Sequence, residues 1–409
     1  MNETTKTLYF VLAAALIAAV AVVVDPSRST PDVFDDVGEV FFAEFTDPQS
    51  PRTIEVIDYD EATATATPLK VEFRDNKWVI PSHHGYPADA EERLATTAAA
   101  LIELRKDRIV SNLAQEHSDY SVVDPLDDQA TSLAGRGKRV RLLDSEGSAI
   151  ADFIVGKAVD GKSGYRYMRT PGQNRTYEVK TEADVSARFE DWIETDLLKV
   201  SPFDLRRIEI NSYTINERLG RIENRQQTVL TQQDNKWSYA GQEPNSETMS
   251  DLTTALDDLR IVDVQPKPEG LSENLKARSG IQPTMENFRS LQGKGFFPNP
   301  YTGQILSNEG EIVVDSKDGL RYTLRFGEIA AGGPGGQDSE ASEEAEGERR
   351  YLMISVEFSE DRASAHEGDA TKGKELADEL QTRFADWYYV ISGADFGKLR
   401  PSRTALRAS

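Results

Sequence analysis

Cysteine is absent from the 409 residues, which excludes disulfides, thiolate metal sites, a cysteine nucleophile and the acylated cysteine of a lipoprotein. Positive charge is in deficit. Lys and Arg number 47 against 70 Asp and Glu, and the net charge of −23 repels nucleic-acid phosphates and anionic headgroups, so no nucleic acid is expected as a partner. Histidine is limited to His83, His84, His117 and His366, and tryptophan to Trp78, Trp192, Trp237 and Trp387.

One uncharged apolar run, LYFVLAAALIAAVAVVV at residues 8–24, stands out from this polar chain. As a helix it extends about 26 Å, the short end of what crosses a bilayer. Ala19 and Ala21 also form the small-x-small pair of a cleaved signal peptide, yet the apolar stretch continues past them to Val24. An uncleaved anchor over 1–25 fits that length better. Lys6 and the amino terminus favour a cytoplasmic start, and either reading places the bulk of the chain outside the cytoplasm, beside an inner membrane.

The tryptophans expose a repeat. RDNKWVI (74–80) is matched by QDNKWSY (233–239), and other words match in the same order. RTIEVIDY (52–59) meets RRIEINSY (206–213); LRKDRIV (104–110) meets LDDLRIV (256–262); SLAGRG (132–137) meets SLQGKG (290–295). LLDSEG (142–147) then meets VVDSKDG (313–319), and RFEDW (188–192) meets RFADW (383–387). The expected organisation is an anchor (1–25), a linker (26–50), a first repeat (51–204), a second repeat (205–400) and a tail (401–409). The second repeat carries insertions at 296–310, 330–349 and 359–375, whose glycine-rich, acidic or polar composition reads as solvated loops.

Each repeat reads as an α+β unit, a mostly antiparallel sheet with two helices. LKVEF (69–73) alternates apolar and polar residues and Asp75-Asn76 forms a two-residue turn, so Phe73 faces Trp78 across the hairpin. A helix follows, with Asp89 and Glu92 at capping-box spacing and Leu94, Ala98, Leu101 and Ile102 on one stripe; Leu252, Ala255, Leu256 and Leu259 form the second copy's stripe. After four short strands, a closing helix is expected from Thr181, with Val185, Phe189, Trp192 and Ile193 inward. Leu380, Phe384, Trp387 and Tyr388 are its counterparts. The four tryptophans are therefore expected as structural anchors of the repeats.

These motifs together resemble a bacterial domain of unknown function catalogued as number 4340: the N-terminal anchor, a hairpin ending in KWVI, a helix running into DRIV, a VVDP turn (122–125) and the IVGK…GYRYMR hairpin. The resemblance covers most of the chain after the anchor and is clearer in the first copy. It implies a protein that accompanies a gliding-motility-type ABC transporter, with its globular part outside the cytoplasm. The family has no assigned catalytic residues to carry over.

Candidate chemistry is sparse. GKAVDGKS (156–163) fits the phosphate-loop pattern, but strand-like GYRYMRTPG follows where a helix must begin, so no nucleotide is expected. His83 and His84 are adjacent, point to opposite faces of an extended chain and make a poor metal corner. The carboxylate pairs Asp127-Asp128, Asp257-Asp258 and Glu343-Glu344 lack an apolar pocket to raise a pKa. No catalytic residue, cofactor or metal is expected. In GFFPNPY (295–301), Phe296, Phe297 and Tyr301 read either as aromatics folded back onto the sheet or as a partner-binding patch. The expected function is a non-enzymatic, single-pass, extracytoplasmic accessory or scaffold of an ABC-type export or motility complex, held to a permease or related subunit. The rival is a cell-envelope polysaccharide-binding module with one weak site per repeat.

Overall fold

The computed structural model describes residues 36–128, 133–181, 185–216, 221–278, 284–299, 304–330 and 348–407. Residues 8–24 lie outside them, and among the described residues no helix is long and apolar enough to cross a membrane. Most of the acidic tract, 331–347, also lies outside them.

The first half builds one nine-stranded sheet from β1 (Thr53–Asp60), β2 (Thr65–Arg74), β3 (Lys77–Ile80), β4 (Tyr86–Pro87), β5 (Arg108–Ser111), β6 (Lys138–Leu143), β7 (Ala149–Ala158), β8 (Tyr165–Arg169) and β9 (Thr176–Lys180). Its order is β4-β3-β2-β1-β6-β7-β8-β9-β5. In the second half β10 (Leu205–Asn216), β11 (Arg221–Gln233), β12 (Lys236–Tyr239), β13 (Asp263–Pro266), β16 (Glu311–Ser316), β17 (Leu320–Ile329), β18 (Arg350–Phe358) and β19 (Trp387–Ile391) form an eight-stranded sheet. Between β13 and β16 the short pair β14 (Phe296–Pro298) and β15 (Ile305–Ser307) stands apart. The larger sheet's order is β12-β11-β10-β16-β17-β18-β19-β13. Setting β4 aside, the two orders coincide place for place, and all the strand pairs of both sheets are antiparallel.

The registers coincide as well. Ile54 stands between Val71 and Leu142, as Ile208 stands between Leu230 and Val314, and all six are buried. At the far side Tyr177 stands between Met168 and Ile109, as Tyr389 stands between Leu352 and Val264. Alternation explains this placement: a period of two turns these residues to one face, where a helix covers them.

The covering helices are α1 (Glu91–Ile102) and α2 (Ser246–Asp257). Leu94, Thr97, Ala98 and Leu101 are buried on α1, and Met249, Leu252, Thr253 and Leu256 occupy the same turns of α2. The equivalence is thus displaced by three residues from the one read off the shared RIV word, because helix phase is set by the buried stripe and not by the exposed Arg. The expected capping box is also displaced: Ala90 is the N-cap of α1 with no side-chain bond, whereas Asn245 caps α2 by accepting from Thr248 N.

Two larger corrections concern the ends of the halves. The closing helix of the first half does not form over residues 185–188; Phe189–Trp192 is a 3-10 turn, although Val185, Phe189, Trp192 and Ile193 are buried as expected. The first half therefore has one α-helix among the described residues, where two were expected. In the second half α5 (Glu360–Ala365) and α6 (Ala370–Ala385) occupy the stretch 359–375 that reads as loop. Leu380 and Phe384 lie on α6, but Trp387 and Tyr388 already belong to β19. RFEDW thus follows β9 while RFADW runs into the start of its counterpart β19, so the shared word marks two different places in the fold.

One hydrophobic core runs through both halves, from Phe45 and Ile54 to Leu399 and Leu406. Tyr86 of the first half meets Trp387 of the second at 5.1 Å between ring centroids. Part of the expected linker joins this core: Phe41 N donates to Leu104 O, Phe45 is buried, and Asp36 accepts from Tyr177 Oη, Lys106 and Arg175.

Candidate functional site

The repeated DNKW word resolves into structure. Asp75 and Asn76 have φ of 51° and 61°, and Asp234 and Asn235 have 48° and 59°. Two successive left-handed residues make the primed turn whose twist suits a tight hairpin, and Asp and Asn tolerate that region better than other side chains. Trp78 packs edge-on against Phe73 at 5.2 Å, whereas Trp237 faces Gln232. Trp78, Trp237 and Trp387 are half-buried against the core, and Trp192 is fully buried with its Nε1–H donating to Ser186 O.

The phosphate-loop pattern is a hairpin turn between β7 and β8. Its lysine, Lys162, pairs with Glu178, a carboxylate 1% exposed that Arg108 also holds at 2.8 Å. Burial would raise the Glu178 pKa, but the Lys162 and Arg108 charges hold it below the usual carboxylate value. The VVDP turn is a packing hub: buried Arg169 donates from Nε to Val122 O, and a Cβ on Gly156 would lie 2.2 Å from Tyr120 O.

Ser82, His83 and Asp263 do meet at the junction of the halves. Ser82 Oγ is 3.0 Å from His83 Nδ1, and His83 Nε2 is 4.0 Å from Asp263 Oδ1. The geometry suits packing better than nucleophilic catalysis. The imidazole stacks on Phe189 at 4.2 Å, and at 4.0 Å from Asp263 Oδ1, which accepts from Val264 N at 2.7 Å, the ring has no short bond to an orienting carboxylate. Burial pushes the His83 pKa down. Among the described residues no group of three His, Cys, Asp or Glu side chains could hold a metal ion.

Among the described residues, the second half carries a layer without a counterpart in the first: α3 (Glu269–Lys276), α4 (Met285–Gln292) and the β14–β15 hairpin. It divides the three aromatics singled out in the sequence. Phe296 is fully buried and stacks on Tyr388 at 5.8 Å with ring planes 6° apart, inside a satellite core with Leu271, Leu291, Ile305 and Met353. Phe297 is half-buried opposite Leu306, and Tyr301 lies outside the described residues. Phe296 is therefore a packing residue and not an exposed contact.

Among the described residues, the large exposed apolar side chains of this layer are on α4. Met285 is 66% and Phe288 44% exposed, one helical turn apart. Thr284 starts that helix by accepting from Asn287 N at 3.1 Å, and once the helix buries Leu291 and Asn287 the other side must face outward. The cap signal T-M-E-N and the apolar spacing of Met285, Phe288 and Leu291 were available in the sequence. Residues 78–275 match the family model described as Domain of unknown function (DUF4340), while no curated protein and no solved structure matches.

Proposed function

The chain belongs, through residues 78–275, to that family of a domain of unknown function, and from this premise we propose that it is a non-enzymatic accessory protein that docks a membrane partner through helix α4. The partner class is the one the family resemblance implies, an ABC-type permease or related subunit, with residues 8–24 as the tether and the folded part outside the cytoplasm. Tandem duplication of one antiparallel unit is the origin that best fits two sheets of the same strand order and register. Among the described residues only the second unit carries the added layer, which makes it the natural place for a partner surface on an otherwise shared scaffold.

The observation that carries the reading is the pair Met285 and Phe288, large apolar groups left in water on a helix whose other side is packed. Membranes solubilised in mild detergent should yield the chain together with a transporter subunit, and the double substitution Met285→Ser, Phe288→Ser should lose that subunit. Recovery of the chain with no transporter subunit overturns the role; recovery of the same complex with the double variant overturns the surface.

A further inference from the structure

The chain has five methionines and no cysteine, so its sulfur chemistry is confined to thioethers. Among the described residues three of these sulfurs are sealed in the fold. Met168 of β8 and Met353 of β18 have no exposure, and Met249 of α2 has 5%. Met353 is further enclosed in the satellite core with Leu271, Phe296 and Tyr388. Met1 lies outside the described residues. Met285 differs from all three, being 66% exposed at the first position of α4.

The surroundings of that sulfur give its chemistry a consequence. Met285 and Phe288 are the large apolar groups on the outward side of the helix, and the exposed polar residues Glu286, Arg289 and Gln292 are interleaved with them. An apolar pair within a polar rim is the plan of a contact whose energy sits at its centre. Half of that centre is a thioether, which one added oxygen makes polar. The fold does not depend on it. Asn287 and Leu291 hold the helix from its buried side, and Thr284 caps it by accepting from Asn287 N.

We infer that Met285 is an oxidation site of the folded chain, and that its sulfoxide turns off the docking surface of α4 without unfolding the protein.

The site follows from exposure, and the switch rests on α4 being the docking helix. The oxidant is hydrogen peroxide. The thioether sulfur attacks one peroxide oxygen, the O–O bond breaks and an S–O bond forms. The other oxygen leaves as hydroxide and takes the proton from the newly bound oxygen to become water. Sulfur loses an electron pair and the peroxide gains it. The sulfoxide oxygen is a hydrogen-bond acceptor that must lose its water to enter an apolar contact, so docking weakens. Methionine sulfoxide reductases restore the thioether, with a pair of thiols oxidised to a disulfide and the oxygen leaving as water. A sulfoxide at Met168 or Met353 would instead place that acceptor inside the core, where it disrupts packing.

The purified full chain, treated with dilute hydrogen peroxide and then freed of it, is divided between peptide mapping, thermal melting and detergent-solubilised membranes. The peptide carrying Met285 should gain one oxygen at least about tenfold faster than those carrying Met168, Met249 and Met353, which react only when the fold opens. The melting midpoint should not move. Comparable rates at the four sites overturn the site, and a midpoint that falls as Met285 is oxidised overturns the claim that the fold is spared. Treated chain should recover the transporter subunit at least about tenfold less well than untreated chain, and methionine sulfoxide reductases with a dithiol should restore recovery. The amount recovered with Met285→Leu, whatever its level, should be the same with and without peroxide. Undiminished recovery by chain oxidised at Met285 overturns the switch, as does an equal loss in Met285→Leu. Absence of the subunit with untreated chain overturns the docking reading and the switch with it, while the peptide map by itself still decides the oxidation site.

Discussion

Phe288 and Phe296 lie on one short stretch of chain and have opposite surroundings. Phe296 sits against Leu271, Leu291 and Tyr388 with no exposure, so Phe296→Ala leaves a cavity and should cost about 3–5 kcal/mol, read as a fall in the denaturation midpoint. Phe288→Ser removes an exposed ring and should stay within about 0.5 kcal/mol of the parent. Equal losses from the two would show that α4 is packed in solution. The difference was out of reach in the words GFFPNPY and TMENFRSL. Which of Phe296 and Phe297 turns inward depends on pairing with Ser307 and Leu306, a register that neither word contains. The Asp-Asn turns were legible because a two-residue primed turn demands left-handed backbone at both positions, and few residue types supply it. Asn76→Val should accordingly destabilise by about 1–2 kcal/mol, since a β-branched side chain is strained at φ 61°; unchanged stability in thermal melts would contradict that.

At the scale of elements, most strands of the first half were readable, while their order in the sheet and the helices at the end of each half were not. Alternation and turn residues mark β1 to β3 and β6 to β9, because each strand buries a face locally. RFEDW and RFADW share spacing but differ in what the neighbouring chain allows. The first continues into IETDLLKV and turns tightly, while the second ends a helix whose polar residues face water. That helix exists because Asp369 caps it through the N–H groups of Thr371 and Lys372, and Ser359 caps the one before it. Its glycine is placed for contact and not for flexibility: a Cβ at Gly373 would lie 1.9 Å from Asp318 O, so α6 rests on the turn between β16 and β17. Gly373→Ala gains about 1 kcal/mol in helix propensity and loses that close approach. The expected net result is a loss of about 1–3 kcal/mol, and a rise in melting temperature would show that the helix can lift without cost.

For the whole molecule, the boundaries of the family match and the boundaries of the fold do not coincide. Residues 78–275 start inside β3 and end inside α3, so they contain β5 to β9 and β10 to β13 but neither β1, β2 nor β16 to β19. In such a piece β6 loses β1, and buried Val140 and Leu142 lose Val56 and Ile54; β10 loses β16, and Ile208 and Ile210 lose Val314 and Ile312. Interior strands β6 and β10, and what remains of β3, become bare edges, and the core that spans both halves is cut through at each sheet. The junction fares no better, since Tyr86 loses Trp387 and Tyr389. A fragment of residues 78–275 should therefore show no cooperative thermal transition and should aggregate through its exposed strands, whereas residues 36–407 should melt in a single transition with both halves together. Calorimetry separates the alternatives. Two resolved transitions in the longer chain would mean that the halves are independent despite the shared core, and a cooperative melt of the fragment would mean that the sheets tolerate the loss of their central partners.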